Sequence, residues 1–223
     1  MGTIDVGEAL RRPLEIMTDN YGFFIPPAIP AAVDLVSSLT AGKPEVGFGI
    51  STTAALLSLI SFILSIIASG ALVHMADEEL KGHPASYMEG LNAAFGKIID
   101  LTIASLIIGI GFFIGLFLLV IPGLLWLMLT AFVIPLIMIE NLGAIDAIKE
   151  SINLTTGRFG EVLVYLIVLV IIVGLVWVIL SFIPYIGSAL ATIVLTPYAA
   201  ISITIAYRHL TESESGETSA EAF

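Results

Sequence analysis

Two long stretches of the chain carry no charge, one between Asp100 and Glu140 and one between Glu161 and Arg208. A helix needs roughly 20 apolar residues to cross the hydrocarbon of a bilayer, so each stretch has room for two crossings. Each is divided by a turn signal, Ile121-Pro122-Gly123 in the first and Ile183-Pro184-Tyr185-Ile186-Gly187 in the second. The pattern predicts two helical hairpins, with helices at about 99–120 and 124–140, then 161–182 and 188–207. Upstream, Val46–Val73 is uncharged and predicts one further span. Gly22–Leu39 contains Pro26, Pro27, Pro30 and Asp34 and is a weaker candidate. It is counted because the orientation then works. The expectation is an all-α polytopic membrane protein with about six transmembrane helices.

The basic residues fix that orientation. With six spans and a cytoplasmic N-terminus, Arg11, Arg12, Lys81, Lys97, Lys149, Arg158 and Arg208 all fall inside, and Lys43 alone falls outside. That split follows the positive-inside bias. Five spans would put the N-terminal arginine pair on the side opposite the other basic loops. Both termini are therefore expected in the cytoplasm, with the protein in the cell membrane. The segment 210–223 is acidic, serine-rich and poor in large apolar residues, which predicts a disordered cytoplasmic tail behind a single membrane domain at 1–209.

Superimposed on the hydropathy is a threefold internal similarity. Glu8-Ala9-Leu10, Glu89-Gly90-Leu91 and Asp146-Ala147-Ile148 each read acid, small, aliphatic, and four residues later stand Leu14, Phe95 and Ile152. That spacing lies on one helical face. Asp5 and Ser86, three residues before the first two acids, predict capping boxes; Gly143 occupies the third position. Tyr21-Gly22 and Phe159-Gly160 follow their acids by the same interval. The outer turns read Pro44-x-x-Gly47, Pro122-Gly123 and Pro184-x-x-Gly187, with Pro135 and Pro197 equally far beyond the second and third, and Leu57 at that point in the first. The chain thus divides into units at about 5–72, 86–140 and 143–207, each a short amphipathic helix followed by a helical hairpin. All share one orientation, so the repeats are parallel. Pro13 is expected to shorten or kink the first short helix.

Glu140-x6-Ala147-x3-Ser151, Ser86-x-x-Glu89-Gly90-Leu91, the Ile-Pro turns and the closing Tyr207-Arg208 together resemble the membrane domain fused to some bacterial glycerophosphodiester phosphodiesterases, and related stand-alone prokaryotic membrane proteins. The resemblance covers most of residues 5–209. It implies a membrane module of uncharacterised role and carries no catalytic residues, because in the fused proteins the hydrolase is a separate soluble domain.

Composition narrows the function classes. Charged residues are 12% of the chain against about 25% in soluble domains, and mean hydropathy is +1.07. The net charge of −11 argues against a nucleic-acid partner, since there is no basic patch to displace counterions. With no cysteine, thiol catalysis, disulfides and cysteine-ligated metals are excluded. The N-terminus lacks the basic region of a cleavable signal.

The candidate chemistry is sparse. Asp34 is the acid placed well inside a predicted span, where carboxylates often serve as proton or cation sites. Ser51, Ser58, Ser61, Ser65 and Ser69 recur at helical spacing on the next span. Asp34 with Ser58, Ser61 and Ser65 is the candidate transport or ion site; the competing reading is close helix packing through small residues. Gly111-x-x-x-Gly115 is read as packing. His74 and Glu78 have the spacing of a metal pair, but no third ligand is specified, and an acidic solvated loop is the plainer reading. Glu140 either caps the following short helix or belongs to a site between repeats. The apolar stripes Val6/Leu10/Leu14/Met17, Met88/Leu91/Phe95/Ile98 and Ile145/Ile148/Ile152 would lie in the membrane interface and anchor the hairpins.

No cofactor, metal or nucleophile–base pair is expected. Three functions remain: a non-enzymatic module organising lipid or membrane-protein partners, a small-solute or ion transporter or channel using Asp34 and the serine face, and a membrane enzyme with a cytoplasmic-face site.

Overall fold

The computed structural model describes residues 3–40, 52–183 and 186–220, and among these every regular element is helical. In chain order they are α1 (Val6–Asp19), a 3-10 turn (Tyr21–Phe24), α2 (Ile25–Thr40), α3 (Thr52–Leu80), α4 (Tyr87–Gly96), α5 (Ile98–Leu118), α6 (Val120–Leu129), α7 (Val133–Ile139), α8 (Ala144–Gly157), α9 (Phe159–Ser181) and α10 (Gly187–Ala220). The chain runs as a short helix followed by two longer ones at α1–α3, α4–α7 and α8–α10, with α6 and α7 forming one interrupted helix; the first long helix of each set is called outgoing and the second returning.

Five helices of the described residues are long and apolar enough to cross a membrane: Ala55–Leu80, Ile98–Leu118, Val120–Ile139, Phe159–Ser181 and Gly187–Thr211. The 16-residue α2 is shorter than these. Burial separates them into two classes. The outgoing helices α5 and α9 have 17% of their apolar window buried, whereas the returning helices α3, α6/α7 and α10 have 44%, 44% and 50%. The returning helices therefore make the core, and the outgoing ones turn most of their Leu, Ile, Val and Phe side chains outward, as lipid allows.

The short helices are laid across the ends of these returning helices. α4 packs on α3, α8 on α7, and α1, which has no sequence neighbour there, packs on α10. At each docking point the small residue of the acid–small–aliphatic triplet is buried: Ala9, Gly90 and Ala147. Gly90 shows why. A Cβ there would stand 2.8 Å from the Ala71 carbonyl oxygen and 2.8 Å from Met75 Cγ. The stripes are shared between two surroundings. Met17 and Ile148 point into the core, while Leu14, Met88, Phe95 and Ile145 remain exposed.

Several local expectations change. The break in the second hairpin falls at Leu119, and Pro122 and Gly123 lie inside α6, since proline is tolerated in a first helical turn. Gly115 and Gly111 set the hairpin's closeness. A Cβ on Gly115 would lie 2.6 Å from the Gly123 amide, and one on Gly111 would strike the Trp126 ring, whose Nε1 donates to the Ile108 carbonyl at 3.0 Å. Asp5 caps α1 by accepting from the Glu8 amide at 2.9 Å, but Ser86, at the equivalent place before α4, makes no side-chain cap bond. Pro13 sits inside a continuous α1. α10 runs through the segment expected to be a disordered tail as far as Ala220, its Thr211 hydroxyl donating back to the Tyr207 carbonyl at 3.1 Å. The turn at Pro44, with Lys43 and Ser51, and the Pro184-Tyr185 pair lie outside the described residues.

The returning helix formed by α6 and α7 is broken between them, and α8 repairs it. Pro135 has no amide to donate, so the ladder fails one turn upstream. Ser151, fully buried on α8, donates to the Leu129 carbonyl at 2.8 Å and accepts from the Phe132 amide at 3.2 Å. Its hydroxyl satisfies both backbone groups on either side of the break, which would otherwise be costly away from water.

Gly90→Ala should force α4 off α3 and lower unfolding free energy by about 1–3 kcal/mol, the usual cost of an added methyl in a filled contact. Denaturant titration in mixed micelles reads this directly; a variant as stable as the parent would mean that the α3–α4 contact is not close.

Candidate functional site

Polar side chains gather where the returning helices end. Asp77, at the last turn of α3, is buried. Its Oδ1 accepts from Arg208 Nε of α10 at 2.8 Å and also from an Arg208 terminal nitrogen, and its Oδ2 pairs with Lys81 Nζ at 2.7 Å. A buried carboxylate demands such partners. Lys81 also reaches Glu78 at 2.9 Å, and Glu78 holds His83 at 3.1 Å. The carboxylates of Asp77 and then Glu78 raise the Lys81 pKa above the usual lysine value of 10.5. A raised folded-state value means that this contribution is complete below that pH and fades as pH climbs through the raised one.

The neighbouring bonds also run between helices far apart in the sequence. Tyr207 OH donates to Glu140 Oε1 at 3.0 Å, with its ring tilted against Phe132 at 6.3 Å. Asp100 at the start of α5 accepts from the Ala144 amide at 3.1 Å, and so caps α8. Tyr198 OH donates to the Leu10 carbonyl at 3.0 Å, and Glu161 accepts from the Ile4 amide at 3.4 Å. His209 Nδ1 accepts from the Asp5 amide at 3.3 Å, while its Nε2 faces Glu8 at 3.4 Å. Asn20 donates to the Ala85 carbonyl at 3.0 Å and to Glu79 at 3.3 Å. Deeper in the bundle, Tyr165 OH and Ser202 Oγ lie 2.8 Å apart. Chemically this is a collar of paired groups that ties helix ends together.

The residues singled out from sequence lie on α2, on α3 and at the end of α7. Asp34 on α2 and Ser58 on α3 are exposed. Ser61 is buried and donates to the Pro30 carbonyl at 3.4 Å, tying α3 to α2. Ser65 is half-buried, and its carbonyl accepts from Ser69 Oγ at 2.9 Å. Glu140 stands at the end of α7 in contact with α10 through Tyr207; the cap on α8 comes from Asp100 instead. Among the described residues no group of three or more His, Asp or Glu side chains is placed to hold a metal.

A cavity of about 380 Å³ opens between α3, α6/α7, α9 and α10. Its walls include Ser69, Pro135, Trp177, Thr192, Leu195 and Ala199. Of the serine series, Ser69 alone lines it, and Asp34 does not.

Sequence reasoning passed over Asp77, Arg208 and Asp100. Asp77 reads as part of an acidic loop when α3 is ended at Val73. The signal was the lone arginine closing a 46-residue uncharged stretch, since a base so close to a span needs a counter-charge at the same depth.

Fold and collar together define a multi-pass helical membrane protein whose polar groups serve mainly to join its helices. The chain belongs to the family described as a domain of unknown function (DUF7847), which matches residues 80–211, more than half of its length. The match begins at the end of α3 and runs to Thr211, so it takes in α4 through the membrane part of α10. It carries no tie to the phosphodiesterase fusion proteins. No curated protein and no solved structure matches the chain.

Asp77→Asn removes the carboxylate that Arg208 and Lys81 face and should cost about 3 kcal/mol of stability. Lys81→Gln, at the more exposed side, should cost under about 1 kcal/mol. Replacing Asp77 and Arg208 together by leucine should recover most of the loss. Unfolding titrations of the three variants check the order, and an Asp77→Asn protein as stable as the parent would contradict it.

Proposed function

We propose that this chain is a non-enzymatic module of the cell membrane, with both termini cytoplasmic, that organises the lipids or membrane-protein partners packed against it. It comprises three parallel helix-plus-hairpin units arranged in a ring about an axis near the membrane normal. The observation that carries the reading is the use made of the polar side chains. Asp77, Arg208, Glu140, Tyr207, Asp100 and Ser151 are each engaged in a helix-to-helix or helix-end bond.

The ring is supported by the docking pattern. Each short helix rests on the returning helix of the unit before it, and α1 on α10 closes the set. The outgoing helices follow suit, α5 against α3, α9 against α6 and α2 against α10. For the sixth crossing, the 3-10 turn and α2 supply 4 and 16 residues. At about 2.0 and 1.5 Å of rise per residue these approach the roughly 30 Å of the hydrocarbon core. The positive-inside split supplies the orientation. The exposed Leu14, Met88, Phe95 and Ile145 suit short helices lying in the inner interface.

Transport finds less support, because Asp34 and Ser58 are exposed and the cavity is reached by neither. In sealed vesicles the purified protein should pass no more proton or cation current than protein-free vesicles, and Asp34→Asn should change nothing. A current that Asp34→Asn abolishes would replace the module with a transporter.

A further inference from the structure

We infer that the cavity between α3, α6/α7, α9 and α10 holds one hydrocarbon tail of a bilayer lipid. The inference deepens the membrane-module reading and rests on it.

The walls decide the chemistry of the occupant. The cavity is bounded almost wholly by aliphatic and aromatic carbon, and two of its hydroxyls are already spent on their own helices. Ser69 Oγ donates to the Ser65 carbonyl at 2.9 Å and Thr192 Oγ1 to the Ser188 carbonyl at 3.1 Å. A water needs two to four polar partners to stay in such a place, so the space is a poor site for water and a good one for hydrocarbon. Its 380 Å³ falls within the range of roughly 300–1,000 Å³ typical of small-molecule sites, well beyond a packing defect.

Its length decides the kind of hydrocarbon. The wall contributed by α10 runs from Ala191 to Ile203, which at 1.5 Å per residue is about 18 Å. One leaflet of the bilayer core is about 15 Å deep, half of roughly 30 Å. The groove, slightly longer than one leaflet is deep, therefore matches a single tail lying along the membrane normal. Trp177, 54% exposed, stands beside it toward the bilayer.

The groove persists for two reasons. Its walls include small residues, Ala131, Ala199 and Ala200 among them, and the neighbouring helices are held so that they do not slide in to fill the space. α7 is pinned at its start by Ser151 and at its end by the Glu140–Tyr207 bond.

The test places the protein in vesicles of palmitoyl-oleoyl phosphatidylglycerol containing a trace of the same lipid with a diazirine midway along one tail. On illumination, labelling is expected at wall residues facing inward, Ala191 and Leu195, as well as on outward residues such as Val170. Native mass spectrometry after detergent transfer should show one phospholipid retained per chain. Ala199→Phe, which fills the groove, should drop the inward labelling and the retained lipid to background while leaving Val170 labelled; Val170→Phe should leave both unchanged. Labelling confined to outward residues in the unaltered protein overturns the inference, whether or not Ala199→Phe folds, and so does an Ala199→Phe protein that keeps its lipid. In vesicles that also carry no ion current, missing inward labelling removes the groove and leaves the module reading intact; an ion current removes the module reading instead.

Discussion

Close approach between each short helix and the returning helix beneath it is the constraint on which the rest of the structure depends. Within lipid there is little hydrophobic gain in bringing one apolar helix against another, so association relies on backbone proximity, tight packing and hydrogen bonds. Ala9, Gly90 and Ala147 permit that proximity. At Gly90 the tolerance is zero, because a methyl group would meet a backbone carbonyl. Once the short helices are seated, the backbone of α1 and of α8 comes within reach of Tyr198 and Asp100, and these bonds of the collar become possible.

Each half of the molecule then solves a different solvation problem. Toward the collar, buried charges and helix ends must be matched, and they are matched across units: Asp77 with Arg208, Glu140 with Tyr207, Asp100 with the α8 amide. Within the buried core, the problem is the broken ladder of α6/α7, which Ser151 closes from a neighbouring helix. A break in a spanning helix is tolerable where a neighbouring helix brings such a donor and acceptor to hand. The rigid bend that results, with small residues opposite, leaves the apolar groove.

Much of this was legible from the chain alone. The uncharged stretches marked the long helices, and the acid–small–aliphatic triplets marked the start of each short helix. The small residue in each triplet proves to be the docking point. Hydropathy could not place the hairpin break at Leu119, because Leu, Val and Ile around Pro122 suit either a turn or a first helical turn. Nor could it distinguish the two classes of spanning helix, since α5 and α9 are no less apolar than the core helices and differ in what they touch. The site residues were harder still. Asp34 stands out in a one-dimensional reading because it interrupts an apolar run, yet it is exposed, whereas Asp77 is hidden among other acids and is buried with two cations. Arg208 at the end of its uncharged stretch signals the need for a counter-charge, but nothing local names Asp77, 131 residues away, as that partner.

The central claim is that three units close into a ring, with α1 seated on α10. Because the protein has no cysteine, spin labels can be placed pairwise on cysteines introduced at Glu8, Glu89 and Asp146, the equivalent acids of the three short helices. Pulsed electron–electron distance measurements in nanodiscs should return three similar separations, as a closed ring requires. A separation between positions 8 and 146 close to the sum of the other two would describe an open row of units and contradict the account.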